Sequence, residues 1–187
     1  MQDSSWLHSP KVFCMKQIKW FDRKFDFASE QNTFPALLER LEGTAILLKH
    51  KLATISEEHL IAKPDSSWSI QENVGHLLDL EPIWHGRLED ILLQKEYLRP
   101  ADLENKKTDL AEHNTKNLEA ILDEFTNYRS KTLTRLKNLN ETEVFRHALH
   151  PRLKTPMRTM DLFHFVAEHD DHHLARISEL QRKFAKR

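Results

Sequence analysis

Residues 162–184 read LFHFVAEHDDHHLARISELQRKF, and the positions Leu162, Val166, His169, His173, Ile177, Leu180 and Phe184 follow one another at steps of three and four. That is the period of one face of an α-helix. The row is apolar except at His169 and His173, so this stretch predicts an amphipathic helix that carries two imidazoles on its inward face. Thr159 is the expected N-cap, and the helix is expected to run to about Phe184.

Three more stretches have the same period. From Thr33, the residues Phe34, Leu37, Leu38, Leu41, Ala45, Leu48 and Leu52 form one stripe, with Pro35 in the first turn, where its missing N–H costs little. Ser69-Ile70-Gln71-Glu72 has the pattern of a capping box and opens a second helix, continued by Val74, Leu77, Leu80, Ile83, Trp84, Leu88 and Ile91. A third follows through Leu118, Ile121, Leu122, Phe125, Tyr128, Thr132, Leu136 and Leu139. Between the second and third lies a polar connection, Tyr97 to Asn114 with Pro100 inside it, long enough to be a crossover. Asn140 to Arg158, with Pro151 and Pro156, reads as irregular. Four helices with one apolar stripe each bury those stripes most simply against one another, which predicts an all-α four-helix bundle.

At 187 residues the chain suits one core better than two. The expected organisation is an N-terminal extension over 1–14, poorly ordered, followed by one domain over 15–187. Only three glycines occur, which is a poor supply for the tight turns of a β-fold. The net charge is −1, with acidic and basic residues interspersed, so the basic stripe needed to hold a phosphate backbone is missing and nucleic acid is not expected as a partner. Met1 to Cys14 has neither the basic start nor the apolar run of a secretory signal, and no apolar run reaches spanning length. A cytoplasmic protein with no membrane partner is expected. Cys14 is the sole cysteine, so a metal would need histidine or carboxylate ligands.

His169 and His173, at i and i+4, place their β-carbons about 5 to 6 Å apart. Both imidazoles can then take neighbouring corners of one coordination shell, with metal–nitrogen bonds of roughly 2.0 to 2.1 Å. His76 shares a face with Leu80 and Ile83 and offers a third ring, and Gly75 beside it leaves room for a close approach. With twelve histidines, chance alone gives on the order of 0.7 pairs at this spacing, so the spacing decides little. Inward placement decides more, because a buried polar ring costs about 1 to 3 kcal/mol unless a partner satisfies it. A shared metal would satisfy three rings at once, and hydrogen-bonded core histidines are the other solution.

Trp68-Ser69-Ile70-Gln71-Glu72-Asn73-Val74-Gly75-His76-Leu77 resembles the W-S-x-x-E-x-x-x-H-L signature of the DinB-like (YfiT-like) superfamily. That superfamily includes bacillithiol and mycothiol S-transferases and metal-dependent hydrolases. His169 to Ile177 resembles its second signature, H-x-x-x-H followed by a polar residue and Ile. The resemblance extends over about Thr33 to Phe184, with further echoes in Leu38 to Thr44 and Trp20 to Phe25. It implies an up-down-down-up helix order, and zinc or nickel held by His76, His169 and His173. It also implies a metal-dependent enzyme, with thiol transfer from a low-molecular-weight thiol such as bacillithiol as the leading activity. Hydrolysis of an amide or ester is the alternative, and a non-catalytic metal-binding bundle is the reading from outside enzymology. The expected partner is a small-molecule substrate, with a homodimer as an option.

Other residues are weaker candidates. Glu72 lies one turn before His76 and is a candidate general base or orienting group, yet its capping-box place already accounts for it. Asp79 and Tyr128 rank below it. His172 is about 100° around the helix from His173 and is expected at the surface with His164 and Glu168. His147 and His150, in the irregular stretch, are expected to be solvated or to rim a mouth. No phosphate-binding glycine loop and no nucleophile elbow is present.

Overall fold

Two apolar clusters fill the bundle, and a polar layer crosses it between them. The computed structural model describes residues 17–27, 30–64 and 67–185. The expectation for 1–14 therefore lies outside the described residues. The four long helices are α1 (Phe34–Leu52), α3 (Ile70–Leu92), α5 (Leu118–Lys137) and α7 (Thr159–Phe184). They form at the four periodic stretches, and most of the stripe positions lie on their buried faces, with Leu38, Leu80, Ile83 and Tyr128 half-buried at the margins. One cluster gathers Leu37, Leu41, Trp84, Leu133 and Val166, and the other gathers Leu48, Leu77, Phe125, Leu174 and Ile177. No helix among the described residues is long and apolar enough to cross a membrane.

Side-chain pairs fix the helix directions. Between α1 and α5 the pairs are Glu42–Lys137 and Lys49–Asp123, so one helix ascends as the other descends. Between α3 and α5, Glu81 meets Arg129 and Glu89 meets Arg135, so these two run parallel. Thr44 bonds Asp170 and Lys51 bonds Ser178, which makes α1 and α7 parallel too. The order is up-down-down-up. Parallel α3 and α5 force the chain to travel back along the whole bundle, about 35 Å for the 23 residues of α3, and 93–117 is that crossover.

Arg129 ties the four helices together. From α5 its guanidinium donates to the Leu41 carbonyl of α1 at 3.0 Å, to Glu81 of α3 at 2.6 Å and to Asp170 of α7 at 2.6 Å. Burial alone would favour the neutral form, but the carboxylates of Asp170 and Glu81 outweigh it and keep the group charged.

The shorter elements escaped the periodicity reading. The five-residue helices α2 (Glu57–Ile61), α4 (Lys106–Leu110) and α6 (Glu141–Phe145) are little more than one turn each, too short to show a period. The stretch 140–158, expected to be irregular, holds α6 and an antiparallel hairpin of β1 (His147–Leu149) and β2 (Pro156–Arg158), with Ala148 opposite Met157. Thr159 is not the cap of α7. Arg158 holds that position, and Asp161 accepts both its backbone N–H (2.9 Å) and its guanidinium. Thr159 is instead fully buried, and its hydroxyl donates to the Glu143 carbonyl at 2.9 Å. A threonine one position inside the helix can serve either end of the turn, and the packing of α6 chose.

Because Arg129→Ala would strand two buried carboxylates, it should lower the unfolding free energy by about 3 to 5 kcal/mol, read from urea denaturation followed by far-UV circular dichroism. A loss below about 1 kcal/mol would show that the four-helix tie is not made.

Candidate metal centre

The second stripe begins where expected. The Ser69 hydroxyl accepts the Glu72 N–H at 3.1 Å and Glu72 accepts the Ser69 N–H at 2.8 Å, completing the capping box. This sets the phase of α3 so that Asn73, His76 and Asp79 all turn inward and are buried. From α7, His169 and His173 face the same space. The three rings have candidate ligand nitrogens within 4.8 Å of one another, and their centroids are 4.6 to 5.2 Å apart. Among the described residues no fourth histidine, cysteine or carboxylate joins the group.

Burial makes all three rings neutral. Loss of water, with weaker opposition from Asp79, pushes His76 down to about 4. His169 and His173 lie well below the ordinary histidine value for the same reason, and neighbouring imidazoles add to the effect. A neutral imidazole has a lone pair to donate, so the donor set suits a borderline-soft divalent cation. Two of the rings have their outer nitrogens engaged. His173 Nδ1 lies 2.9 Å from Asn73 Oδ1, and Asn73 is oriented by its own amide donating to the Ser69 carbonyl at 2.7 Å. An amide oxygen only accepts, so His173 has its proton on Nδ1 and its lone pair on Nε2. His76 Nδ1 lies 2.9 Å from the Thr108 hydroxyl. His169 Nδ1 is buried without a hydrogen-bond partner among the described residues. An orphaned buried nitrogen beside two oriented ones fits a site built for an added ligand.

Aromatic rings wall the group. Trp68 packs on His76 with centroids 4.6 Å apart, and Trp20 meets His169 edge-on at 4.9 Å. Trp20 belongs to the segment 17–27, which crosses α7. Gln17 donates to the His172 carbonyl and Arg23 pairs with Glu168 at 3.1 Å. Beneath this segment His172 is half-buried, its ring 5.5 Å from Trp20 and its Nδ1 shielded from water. The surface placement expected from the helical wheel does not hold, because the wheel cannot register a cover from outside the helix.

The weaker candidates divide. Glu72 is held by Ser69 and by Lys63 at 2.7 Å. Burial would raise its pKa, but these partners outweigh burial and hold it below the ordinary carboxyl range. Asp79 accepts from Thr108 at 2.9 Å and from His113 at 2.8 Å. Tyr128 lines a separate groove with Pro82, His85 and Arg99. His147 and His150 belong to the hairpin at the start of α7, ten or more residues before His169, roughly 15 Å along the axis. His150 Nδ1 accepts N–H groups of Arg152 and Leu153 and so closes the hairpin turn. Asn73, Thr108 and His113 were not singled out from the sequence. Asn73 had a signal, a polar residue on the inward face one turn before Leu77, whereas Thr108 and His113 sit in the crossover, where no period exists to read.

Replacing His76, His169 or His173 with Ala should cut bound zinc or nickel to a small fraction of one equivalent, while His172→Ala keeps nearly all of it, as measured by elemental analysis after dialysis. Equal loss in all four would reject this ligand set. The metal-free protein should be pH-sensitive in a defined direction. The three folded-state values lie below the unfolded one near 6.5, so the imidazole contribution is complete above that pH and is lost as pH falls towards about 4 and below. Urea midpoints should drop across this window, and His76→Asn should reduce the drop.

The comparisons with known proteins agree with this architecture. A family model described as DinB superfamily matches residues 28–177. YfiT from Bacillus subtilis, a probable metal-dependent hydrolase with an unusual four-helix bundle topology, superposes with a TM-score of 0.77. It is 21% identical, and the match covers 87% of this chain and 94% of that one. The mycothiol-dependent maleylpyruvate isomerase superposes with a TM-score of 0.61 at 9% identity, over 76% of this chain and 59% of that longer one. No curated protein sequence matches. With the family model spanning most of the chain and both histidine signatures, the chain belongs to the DinB superfamily.

Proposed function

We propose that this protein is a metal-dependent enzyme in which His76, His169 and His173 hold one divalent transition metal, zinc or nickel, and that it transfers a low-molecular-weight thiol of the bacillithiol type to an electrophile. The observation that carries the metal reading is the convergence of three neutral, buried imidazoles with no fourth protein ligand among the described residues. A three-ligand set leaves positions for water or substrate, as catalytic zinc sites do and closed structural ones do not. When bound, such a metal is a Lewis acid that lowers the pKa of a coordinated water or thiol.

The chain's own residues favour the thiol. Hydrolysis needs a base to take a proton from water, and the candidate base one turn before His76, Glu72, is tied to Ser69 and Lys63 and held in its ionised, weakly basic form, while Asp79 is engaged by Thr108 and His113 and Asp170 by Arg129. A thiolate needs less assistance, because it is already the reactive form. Trp68 and Trp20 shield the imidazoles and provide apolar surface for an electrophile. The thiol dependence of the mycothiol-dependent isomerase, a structural relative, supports the same reading. A second reading, hydrolysis of an amide or ester, is favoured by the closer fold match to YfiT. A cytoplasmic location goes with thiol transfer, since free thiols persist in reducing compartments.

The metal-loaded protein, given a panel of low-molecular-weight thiols and a chlorinated arene or a bimane, should conjugate them faster than solution does, and His169→Ala should abolish the excess rate. Ester or amide turnover without thiol would put the hydrolase reading in its place. No turnover of either kind with metal bound would leave a binding bundle.

A further inference from the structure

The crossover 93–117 does more than return the chain. Its helix α4 and the 3-10 turn His113–Thr115 lie against α3. Gln71 donates to the carbonyls of His113 and Lys116 at 2.6 and 2.8 Å, and the Ser69 hydroxyl meets Asn114 at 2.7 Å. Gly75 lets the buried His113 ring lie directly on the helix, where any Cβ would overlap it. Trp68, the ring that covers His76, donates its indole N–H to Asp109 of α4 at 3.0 Å.

At the centre of this contact is a chain of three groups: His76 Nδ1, the Thr108 hydroxyl at 2.9 Å, and Asp79 Oδ2 a further 2.9 Å away. A hydroxyl has one proton. Asp79 is buried, which opposes its charge, but hydrogen bonds from His113 and Thr108 outweigh burial, so it is a carboxylate and can only accept. The Thr108 proton therefore goes to Asp79, and Thr108 can meet His76 only as an acceptor. His113 Nε2, 2.8 Å from the same carboxylate oxygen, and the Lys107 ammonium 3.7 Å from Oδ1 hold Asp79 in place.

We propose that Thr108 and Asp79 are positioning residues that fix the proton of His76 on Nδ1, so that Nε2 is the nitrogen offered to a metal and the crossover becomes an outer part of the metal site. The proposal rests on the metal reading above for its purpose, though not for its test. It also links two events: a metal that selects the Nε2 lone pair favours the docked crossover, and undocking of the crossover frees His76 to adopt either tautomer or to turn away. Outer partners of this kind typically change metal affinity by 10- to 100-fold.

The test uses the full chain with Thr108→Val, which preserves shape and removes the acceptor, and Thr108→Ser, which restores it. In metal-free protein, the ¹⁵N shifts of His76 should report a proton on Nδ1 in wild type and in Thr108→Ser, and a mixture or an Nε2–H ring in Thr108→Val. Zinc affinity, measured by competition with a chromogenic chelator, should fall 10- to 100-fold in Thr108→Val and recover in Thr108→Ser, with far-UV circular dichroism unchanged in both. A wild-type tautomer in Thr108→Val overturns the proposal, as does equal weakening in both variants. If wild type takes up no zinc, the metal reading fails, while the tautomer comparison still decides the role of Thr108.

Discussion

One guanidinium sets the terms for the rest of this structure. Arg129 is 3% exposed and bonds to all three of the other long helices. A buried charge costs several kcal/mol unless it is paired and hydrogen-bonded, so any helix arrangement that fails to bring Glu81, Asp170 and the Leu41 carbonyl to one level is penalised. Apolar stripes slide past one another at small cost, because Leu against Leu is much the same one turn along. A fixed fork of donors is not tolerant in that way. The ion network therefore specifies the vertical register of four helices whose hydrophobic faces alone would leave it loose.

Register is what the histidines need. His169 is adjacent in sequence to Asp170, and His76 lies five residues before Glu81. When Arg129 brings Asp170 and Glu81 to one level, His76, His169 and His173, a few residues away on the same two helices, come together beside it. Burial there has two opposed effects. It strips water from the rings, a cost that their hydrogen bonds to Asn73 and Thr108 offset in part, and it keeps them neutral, which is the state that donates a lone pair. The same desolvation that makes the cluster expensive leaves its lone pairs free to be donated.

The parallel run of α3 and α5 is fixed by the same ion pair with a second one, since Arg129 pairs with Glu81 and, further along both helices, Arg135 pairs with Glu89. Parallel neighbours cannot be joined by a short loop, so a crossover is unavoidable, and its path takes it across the face of α3 that bears His76 and Asp79. Topology thus delivers Thr108, Asp109 and His113 to the edge of the site. The segment 17–27 does the same from the other side with Trp20.

Much of this was legible in the sequence, for a reason specific to helices. A 3.6-residue period is a local property, so the stripes of α1, α3, α5 and α7, the capping box at Ser69, and the inward facing of His76, His169 and His173 could all be read without knowing what lay opposite. What could not be read depended on contacts between segments far apart in the chain. His172 has a solvent-side position on its own helix and is half-buried only because residues 17–27 lie over it. Thr159 has the chemistry of a cap and is a core hydroxyl instead, because α6 presents a carbonyl to it. Thr108 and His113 sit in an aperiodic connection, so nothing in their neighbourhood marks them, and their roles come from Asp79 and Gly75, about thirty residues or more earlier. By itself the sequence determined which faces turn inward, since that is settled within each helix. Only the tertiary structure decided which polar groups meet there, because a hydrogen bond between distant segments is specified by both ends at once and by neither alone.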